Sequence, residues 1–163
     1  MDAITFQAEA LKLEKLLYHI SWSMLGDNED CADAVQEALA KAWQKRDTLQ
    51  SMRKFRPWLT RILYNVCVDI LRNRQHLAQE PLDETAIPAQ LPQEADDDLA
   101  SALQTLSAEQ RTAIMLHYIR GYKLKEIASM LGISLNTVKS RMMYARIHLK
   151  QEYLNSKHER SGC

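Results

Sequence analysis

The outward-facing residues between Asn136 and Arg146 are the first in the chain whose types and spacing could bind another molecule. Val138 and Met142 recur at helical spacing, so the polar and basic residues around them fall on the opposite face of one helix. Such a face suits the major groove of DNA, where phosphate contacts position a helix and a few side chains read base edges. The candidate contacts are Asn136, Thr137, Lys139, Ser140, Arg141, Met143 and Arg146.

A second candidate is the basic segment 45–76, which carries eight Lys or Arg residues against two acids. Phe55, Trp58 and Tyr64 are interleaved with the cations. Cations can follow a nucleic-acid backbone, and aromatic faces can hold unstacked bases. Trp58 lies on the apolar stripe of its helix, so it is predicted to be a core residue. The basic residues are Lys45, Arg46, Arg53, Lys54, Arg56, Arg61, Arg72 and Arg74.

An acidic face precedes the basic segment. Asp33 and Glu37 are one helical turn apart, share a face with Asp30, and have Gln36 beside them. A charged stripe of this kind usually only keeps a helix soluble. The residues alone therefore leave open whether this face binds a partner.

No metal, cofactor or catalytic site is predicted. The five histidines and three cysteines lack metal-ligand spacing, and Cys31 and Cys67 are interpreted as small buried residues. The chain has neither a phosphate-binding glycine loop nor a nucleophile-elbow motif. We therefore expect a binding protein and not an enzyme.

The elements that must position these residues are predicted to be helices, because apolar residues recur at spacings of three and four nearly everywhere outside 77–98. One stripe runs over 6–24 and is ended by a glycine. A second helix should begin at Asp27 or Asn28 and run to about Arg46. A third should run to about Arg74, with a proline in its first turn. These three helices form a predicted first unit.

Residues 77–98 hold three of the four prolines, seven acids and no Lys or Arg. Such a composition cannot bury enough apolar surface to fix its own fold. The predicted fold class is therefore all-α, with two small helical domains, 1–76 and 99–163, joined by a flexible acidic linker.

The second domain is predicted to contain a helix-turn-helix. A capping box at residues 107–110 begins one helix, which stops at Gly121. Further on, Gly132 provides a turn between two short apolar stripes, and Ser134 can start the second helix. The alternative is a helical hairpin that only packs and has a solvated basic face. The net charge of +6 over 99–163 favours DNA binding.

The formal net charge of zero hides a block pattern of −5, +6, −7 and +6 over 1–44, 45–76, 77–98 and 99–163. This asymmetry indicates separate surfaces for polyanions and for cations. No segment approaches the roughly 18 to 20 apolar residues of a membrane span, and the N-terminus lacks the pattern of a signal peptide. We expect a cytoplasmic protein without membrane insertion.

Three segments resemble motifs of the bacterial sigma-70 family of transcription initiation factors. Residues 132–141, followed by Ala145-Arg146, resemble the helix-turn-helix that reads the minus-35 promoter element. Residues 33–43 resemble the D-x-V-Q-E-x-x-x-x-x-W helix that binds core polymerase, and 58–65 resemble the W-L-x-x-I-x-x-N minus-10 helix. Without a middle domain or a long acidic N-terminal extension, the chain is similar to the compact extracytoplasmic-function (ECF) group.

The resemblance implies a sigma factor that binds the largest and second-largest subunits of core RNA polymerase, recognises both promoter elements and promotes DNA melting. It implies that Asp33, Gln36 and Glu37 dock on the clamp coiled coil of the largest subunit. The loop Thr48–Phe55 and Asn65 would capture a flipped minus-10 base. The implied minus-10 contacts are Arg53, Lys54, Phe55, Arg61, Asn65 and Arg72.

The resemblance also implies regulation by an anti-sigma protein, and an acidic linker that imitates RNA in the polymerase exit path. The competing hypothesis is a stand-alone helix-turn-helix regulator whose N-terminal helices dimerise or sense a signal. Palindromic operators and tight DNA binding by the free protein would favour that hypothesis.

Overall fold

The computed structural model describes residues 1–77 and 97–161, with side chains described over 1–77 and 101–155. These ranges contain helices and no strand, as predicted. The predicted linker lies almost entirely outside the described residues. The helices are α1 (Ala3–Lys12), α2 (Glu14–Leu25), α3 (Asn28–Gln44), α4 (Phe55–Leu77), α5 (Asp97–Gln104), α6 (Ala108–Ile114), α7 (Leu124–Leu131) and α8 (Leu135–Ser161).

The first unit contains four helices where three were predicted. The first apolar stripe divides at Leu13, whose backbone (φ −99°, ψ 1°) leaves helical geometry between α1 and α2. The stripe itself does not reveal this break, because Leu13 keeps the helical spacing. The helix caps lie at the residues predicted for them. Gly26 ends α2 at φ 67°, and the Asp27 carboxylate accepts a hydrogen bond from the backbone N–H of Asp30 (2.9 Å) at the start of α3.

The second unit has the predicted capping box and helix-turn-helix. The Ser107 hydroxyl accepts a hydrogen bond from the backbone N–H of Gln110, whose side chain accepts one in return. After α6 the chain makes a π-helical turn, Met115–Ile119, and reverses at Gly121. Gly132, at φ 69°, then separates α7 from α8.

The two units pack against each other in the described residues. Helix α4 lies against α7, and α2 lies against α6. Buried side chains of both units, such as Leu63 and Ile127, belong to one apolar cluster. A unit of this size on its own buries a smaller share of its surface than a larger domain does. The packing of the two units therefore adds to the apolar area that each removes from water.

Arg111 joins the units at the centre of this packing. Its side chain is buried, and its Nε donates to the Ser23 carbonyl (2.8 Å) in α2. Its Nη1 donates to the carbonyls of Leu106 (3.2 Å) and Leu103 (3.5 Å). Burial lowers the pKa of the guanidinium to about 10. A charge in this position is tolerated because three carbonyl oxygens surround it.

We expect Arg111→Met to lower the free energy of unfolding by about 2–4 kcal/mol, because three buried carbonyls lose their donor while the apolar stem is kept. Chemical denaturation followed by circular dichroism measures the change. Arg72→Met is the control, since Arg72 is exposed and a surface change of this kind stays within about 0.5 kcal/mol. A loss for Arg111→Met no larger than that of the control would contradict the structural role of Arg111.

Candidate nucleic-acid interface

Helix α8 presents most of the predicted major-groove contacts at the surface. The Ser134 hydroxyl caps the helix by accepting from the Thr137 N–H (3.1 Å). Val138, Met142 and Ala145 are buried, which fixes the rotation of the helix. The residues that consequently face solvent are Asn136, Lys139, Ser140, Met143 and Arg146. Thr137 is half-buried, and its hydroxyl lies 2.8 Å from that of Ser134.

Arg146 is exposed and aligned with an aromatic neighbour. Its Nε donates to the Tyr118 hydroxyl (3.0 Å), and its guanidinium lies 5.9 Å from the ring centroid. This contact directs the cation along the outer surface of α8, where a phosphate can still reach its remaining N–H groups.

Arg141 departs from the prediction. Its Nη1 donates to the Tyr64 hydroxyl of α4 (3.0 Å), its Nη2 lies 3.3 Å from the Glu109 carboxylate, and only 16% of its side chain is exposed. Burial raises the pKa of the Tyr64 phenol, so that group remains a neutral hydroxyl. In this arrangement the Arg141 guanidinium is turned toward Tyr64 and Glu109 and away from the exposed face of α8.

Arg61, a predicted minus-10 contact, also reaches across to the other unit. Its Nη2 donates to the Ser129 carbonyl at the end of α7 (3.0 Å). The neighbouring Thr60 hydroxyl donates to the Met130 carbonyl (3.1 Å). A cation and a hydroxyl at a helix C-terminus satisfy carbonyls that have no partner within the helix.

Gly132 permits this approach of Arg61. A Cβ atom at position 132 would lie 2.9 Å from the Arg61 side chain. The same glycine supplies the left-handed backbone of the turn, with φ 69°. The turn therefore favours a glycine, and a Cβ at this position would make the Arg61 side chain shift. Beside this point, the Arg56 guanidinium lies 5.0 Å from the ring centroid of Tyr122.

The remaining minus-10 candidates on the first unit divide into surface and core residues. Arg53, Lys54, Asn65 and Arg72 are exposed. Phe55 is 2% exposed and packs edge-on against Phe6 (5.8 Å between centroids), so its ring is a core element that cannot stack on a base. Phe55, predicted as a DNA contact, is therefore not among the exposed residues of this segment. Trp58 packs partly buried against the core, in line with its predicted inward position.

The acidic face of α3 is open to solvent. Asp33, Gln36 and Glu37 are all exposed, and Glu37 forms a surface ion pair with Lys41 (2.7 Å). Asp30 is different, because its carboxylate pairs with Arg74 of α4. Asp30 thus contributes to packing within the first unit and does not belong to the open face.

Sequence reasoning missed the partners that connect the units. Tyr64 and the carbonyls of Ser129 and Met130 gave no signal, because the contact between Thr60 and Met130 spans 70 positions in the sequence. It also missed the stacking of Arg46 on Trp43 at 4.1 Å, although an arginine three residues after a tryptophan at a helix end is a pattern that could have suggested it.

Metal and membrane sites are absent from the part of the chain that the structure describes. No group of three His, Cys, Asp or Glu residues is placed to hold a metal ion there. None of its helices is both long and apolar enough to cross a membrane. Cys31 and Cys67 are buried, and burial raises the pKa of each thiol to about 12.

Comparisons with known proteins find similarity over both units. The family model described as Sigma-70 region 2 matches residues 11–77, and the one described as Sigma-70, region 4 matches residues 96–149. The ECF RNA polymerase sigma factor SigL of Mycobacterium tuberculosis is 36% identical over 138 residues, covering 80% of this chain and 78% of SigL. RNA polymerase sigma factor SigV of Bacillus subtilis is 32% identical over 145 residues, covering 85% and 87%.

Two solved structures are similar across both units. The sigma factor RpoE, in a complex with the anti-sigma factor NepR from Bartonella quintana, superimposes with a TM-score of 0.74 at 30% identity, covering 91% of this chain and 96% of RpoE. CnrH, in a complex with the cytosolic domain of CnrY, gives a TM-score of 0.67 at 27% identity, covering 95% and 90%.

Proposed function

The chain belongs to the ECF group of the sigma-70 family and is an RNA polymerase sigma factor, and from this premise we propose which of its surfaces binds each promoter element and which binds core polymerase. The observation that carries the proposal is the presence of two basic faces on separate units, together with one open acidic face. The hypothesis of a stand-alone regulator is not favoured, because both sigma regions are matched.

The minus-35 element is assigned to α8. Asn136, Lys139 and Ser140 lie on its exposed face near the N-terminus, where a recognition helix reads base edges in the major groove. Met143 can contact a thymine methyl group, and Arg146 and Thr137 lie at the margins of this face. Arg141 joins the contact only after it leaves Tyr64 and Glu109.

The minus-10 element is assigned to α4 and the loop before it. Arg53, Lys54 and Arg72 supply exposed cations for the phosphate backbone, and Arg61 joins them once it leaves α7. Asn65 and the loop Thr48–Phe55 are proposed to hold an extruded base. Extrusion costs a few kcal/mol, and contacts to the base edge offset that cost.

Core polymerase is assigned to the face formed by Asp33, Gln36 and Glu37, with the clamp coiled coil of the largest subunit as its partner. Support comes from their common exposure and from the ion pair of Glu37, which stays within α3. Residues 1–76 and 99–163 are the proposed domains, and the ribonucleotidyl chemistry belongs to the polymerase. A cytoplasmic location and the absence of catalysis by this chain complete the proposal.

Run-off transcription on a genomic promoter library tests this function. We expect defined transcripts only when the chain and core polymerase are both present. The absence of any stimulated transcript, or tight and salt-resistant binding of promoter DNA by the free chain, would contradict it.

The packed arrangement predicts that the free chain binds DNA weakly. Arg61 and Arg141, one cation from each proposed DNA surface, are both engaged by the opposite unit. The units must separate before both can contact DNA, and the energy of separation lowers the apparent affinity. Core polymerase is the proposed source of the energy that separates them.

Tyr64→Phe is expected to raise the affinity of the free chain for minus-35 duplex by about tenfold, because it removes one hydrogen bond to a charged group and keeps the buried ring. Fluorescence anisotropy measures the change. Tyr18→Phe is the matched control, since the Tyr18 ring is exposed on α2. Equal affinity for the two variants would mean that the Arg141 contact does not restrict DNA binding.

Two glycines provide a second matched pair for the same question. Gly132→Ala and Gly121→Ala place a Cβ at similar positive φ (69° and 75°), so both carry similar backbone strain. Only the Cβ at 132 meets Arg61, whereas nothing lies within 4 Å of one at 121. Small-angle scattering should show a larger radius of gyration for Gly132→Ala alone. Identical scattering by the two variants would mean that the Arg61 contact does not affect the packing of the two units.

An anti-sigma partner is also proposed. The similar structures of RpoE and CnrH are complexes with NepR and with the cytosolic domain of CnrY, respectively. The RpoE superposition covers 91% of this chain, so it extends over both units. A protein that binds the packed form would hold both proposed DNA surfaces out of use. Pull-downs from uninduced cells should recover such a protein, and recovery of polymerase alone would place regulation elsewhere.

A further inference from the structure

Four aromatic rings lie under the loop that connects α3 to α4. Phe6 of α1 packs edge-on against Trp43 at the end of α3 (5.3 Å) and against Phe55 at the start of α4 (5.8 Å). Phe55 in turn lies 5.8 Å from Trp58. One ring from α1 therefore contacts the residues on both sides of the loop at 44–54.

Arg46 is a second contact of Trp43. Its guanidinium carbon lies 4.1 Å from the Trp43 ring centroid, and its Nη1 donates to the Trp43 carbonyl (2.8 Å). The 3-10 turn Arg46–Thr48 begins at this point, so the stacked arginine is also the first residue of that turn. Among the eight basic residues of 45–76, Arg46 is therefore one whose planar guanidinium contacts other groups of the protein.

The exposed part of the loop depends on these contacts for its position. Gln50, Ser51 and Met52 are exposed, and a second 3-10 turn, Met52–Lys54, leads into Phe55. Between the turns, Leu49 is partly buried against the core. A short loop whose two ends are fixed has few conformations to lose when it holds a ligand, which favours binding.

We propose that Phe6 and Arg46 are positioning residues for promoter opening, because both contact Trp43 and thereby fix the loop that receives the extruded base. This inference rests on the proposed role of that loop. Phe6 lies before the region 2 match, which begins at residue 11. Neither residue needs to touch DNA, since both act through Trp43 and the loop.

The first test is Arg46→Gln in holoenzyme assembled with core polymerase. Opening is followed by permanganate reactivity of promoter thymines on linear DNA and on a template with a premelted minus-10 bubble. We expect opening on linear DNA to slow by roughly 2- to 30-fold, the range for a cation stacked on an aromatic ring, and the bubble to restore it. Discrimination among the four bases in a single-stranded minus-10 oligonucleotide should fall as well.

The salt dependence of promoter binding separates positioning from a phosphate contact. Arg53→Gln is the matched control, because Arg53 is an exposed arginine of the same loop and a proposed backbone contact. It should reduce the salt slope by about one, whereas Arg46→Gln should leave the slope unchanged. A slope reduced equally by Arg46→Gln would overturn the proposal and make Arg46 a phosphate contact.

Phe6→Leu tests the other side of Trp43 while keeping an apolar side chain in the core. It should slow opening on linear DNA and be rescued by the bubble, with core binding and minus-35 duplex binding unchanged. Ile4→Ala, on the same helix at an 80% exposed position, should behave as wild type. Thermal unfolding of both variants separates a folding defect from a loop defect, and Arg46→Gln, at a half-buried position outside the apolar core, tests the proposal where Phe6→Leu unfolds.

Asn65→Ala distinguishes failure of this inference from failure of the proposed function. If Asn65→Ala slows opening but Arg46→Gln and Phe6→Leu do not, the minus-10 assignment stands and the positioning role is wrong. If none of the three slows opening, the assignment of the loop and α4 to the captured base is itself wrong, and the positioning role fails with it.

Discussion

Reversing two charges on α3, with Asp33→Lys and Glu37→Lys together, is expected to abolish binding to core polymerase while the chain stays folded. Both side chains are exposed, and the ion pair of Glu37 with Lys41 is a surface pair that contributes little to stability. Like charges placed against a complementary partner surface cost several kcal/mol, which corresponds to a loss of affinity of at least about 100-fold.

Co-purification with core polymerase and a competition assay against a second sigma factor measure this loss. The matched control reverses Glu9, which like Glu37 forms an ion pair within its own helix, and the exposed Glu14 of α2, so the net charge changes by the same amount. Circular dichroism should show equal helix content for both double variants. Normal co-purification of the α3 variant would mean that its acidic face is only solvated.

The local chemistry of helix ends was predictable from the sequence. The Ser107–Gln110 capping box and the two turns at Gly26 and Gly132 occur where they were predicted, because each is decided by residues within four positions of one another. Helical periodicity likewise placed Val138 and Met142 inward and Met143 outward. The helix-turn-helix could therefore be predicted as a unit.

Contacts between distant residues were not predictable in this way. Leu13 interrupts the first helix without breaking the apolar pattern, since the stripe depends on side chains and the break depends on the backbone. Phe55 satisfied two patterns at once, a basic segment with aromatics and an inward helical stripe, and burial against Phe6 decided between them. Arg141 was expected to face DNA because its own helix provides no indication of Tyr64.

The packing of the two units changes what the sequence suggested about DNA binding. The composition of 77–98 predicted a flexible linker between two small domains, and in the structure Arg111, Thr60 and Arg61 form hydrogen bonds between these two units. Separating the units exposes apolar area on α4 and α7 and leaves these donors to water. In the proposed function, core polymerase supplies this free energy when the promoter complex forms.

The two proposed DNA surfaces should fail at different steps when each loses one side chain. Lys139 is exposed on α8, where it can contact duplex DNA, and Asn65 is exposed on α4, next to the proposed base pocket. Lys139→Ala should weaken closed-complex formation. The cost is roughly 1–3 kcal/mol for a base contact, or a salt slope reduced by about one for a phosphate contact.

Asn65→Ala should leave closed complexes nearly normal and slow strand opening, because the loss of a contact to the extruded base removes part of what offsets unstacking. Permanganate reactivity of promoter thymines, on linear DNA and on a template with a premelted minus-10 bubble, separates the two variants. The bubble removes the cost of unpairing, so it should rescue Asn65→Ala and leave Lys139→Ala defective. Rescue of both variants, or of neither, would contradict separate roles for α8 and α4.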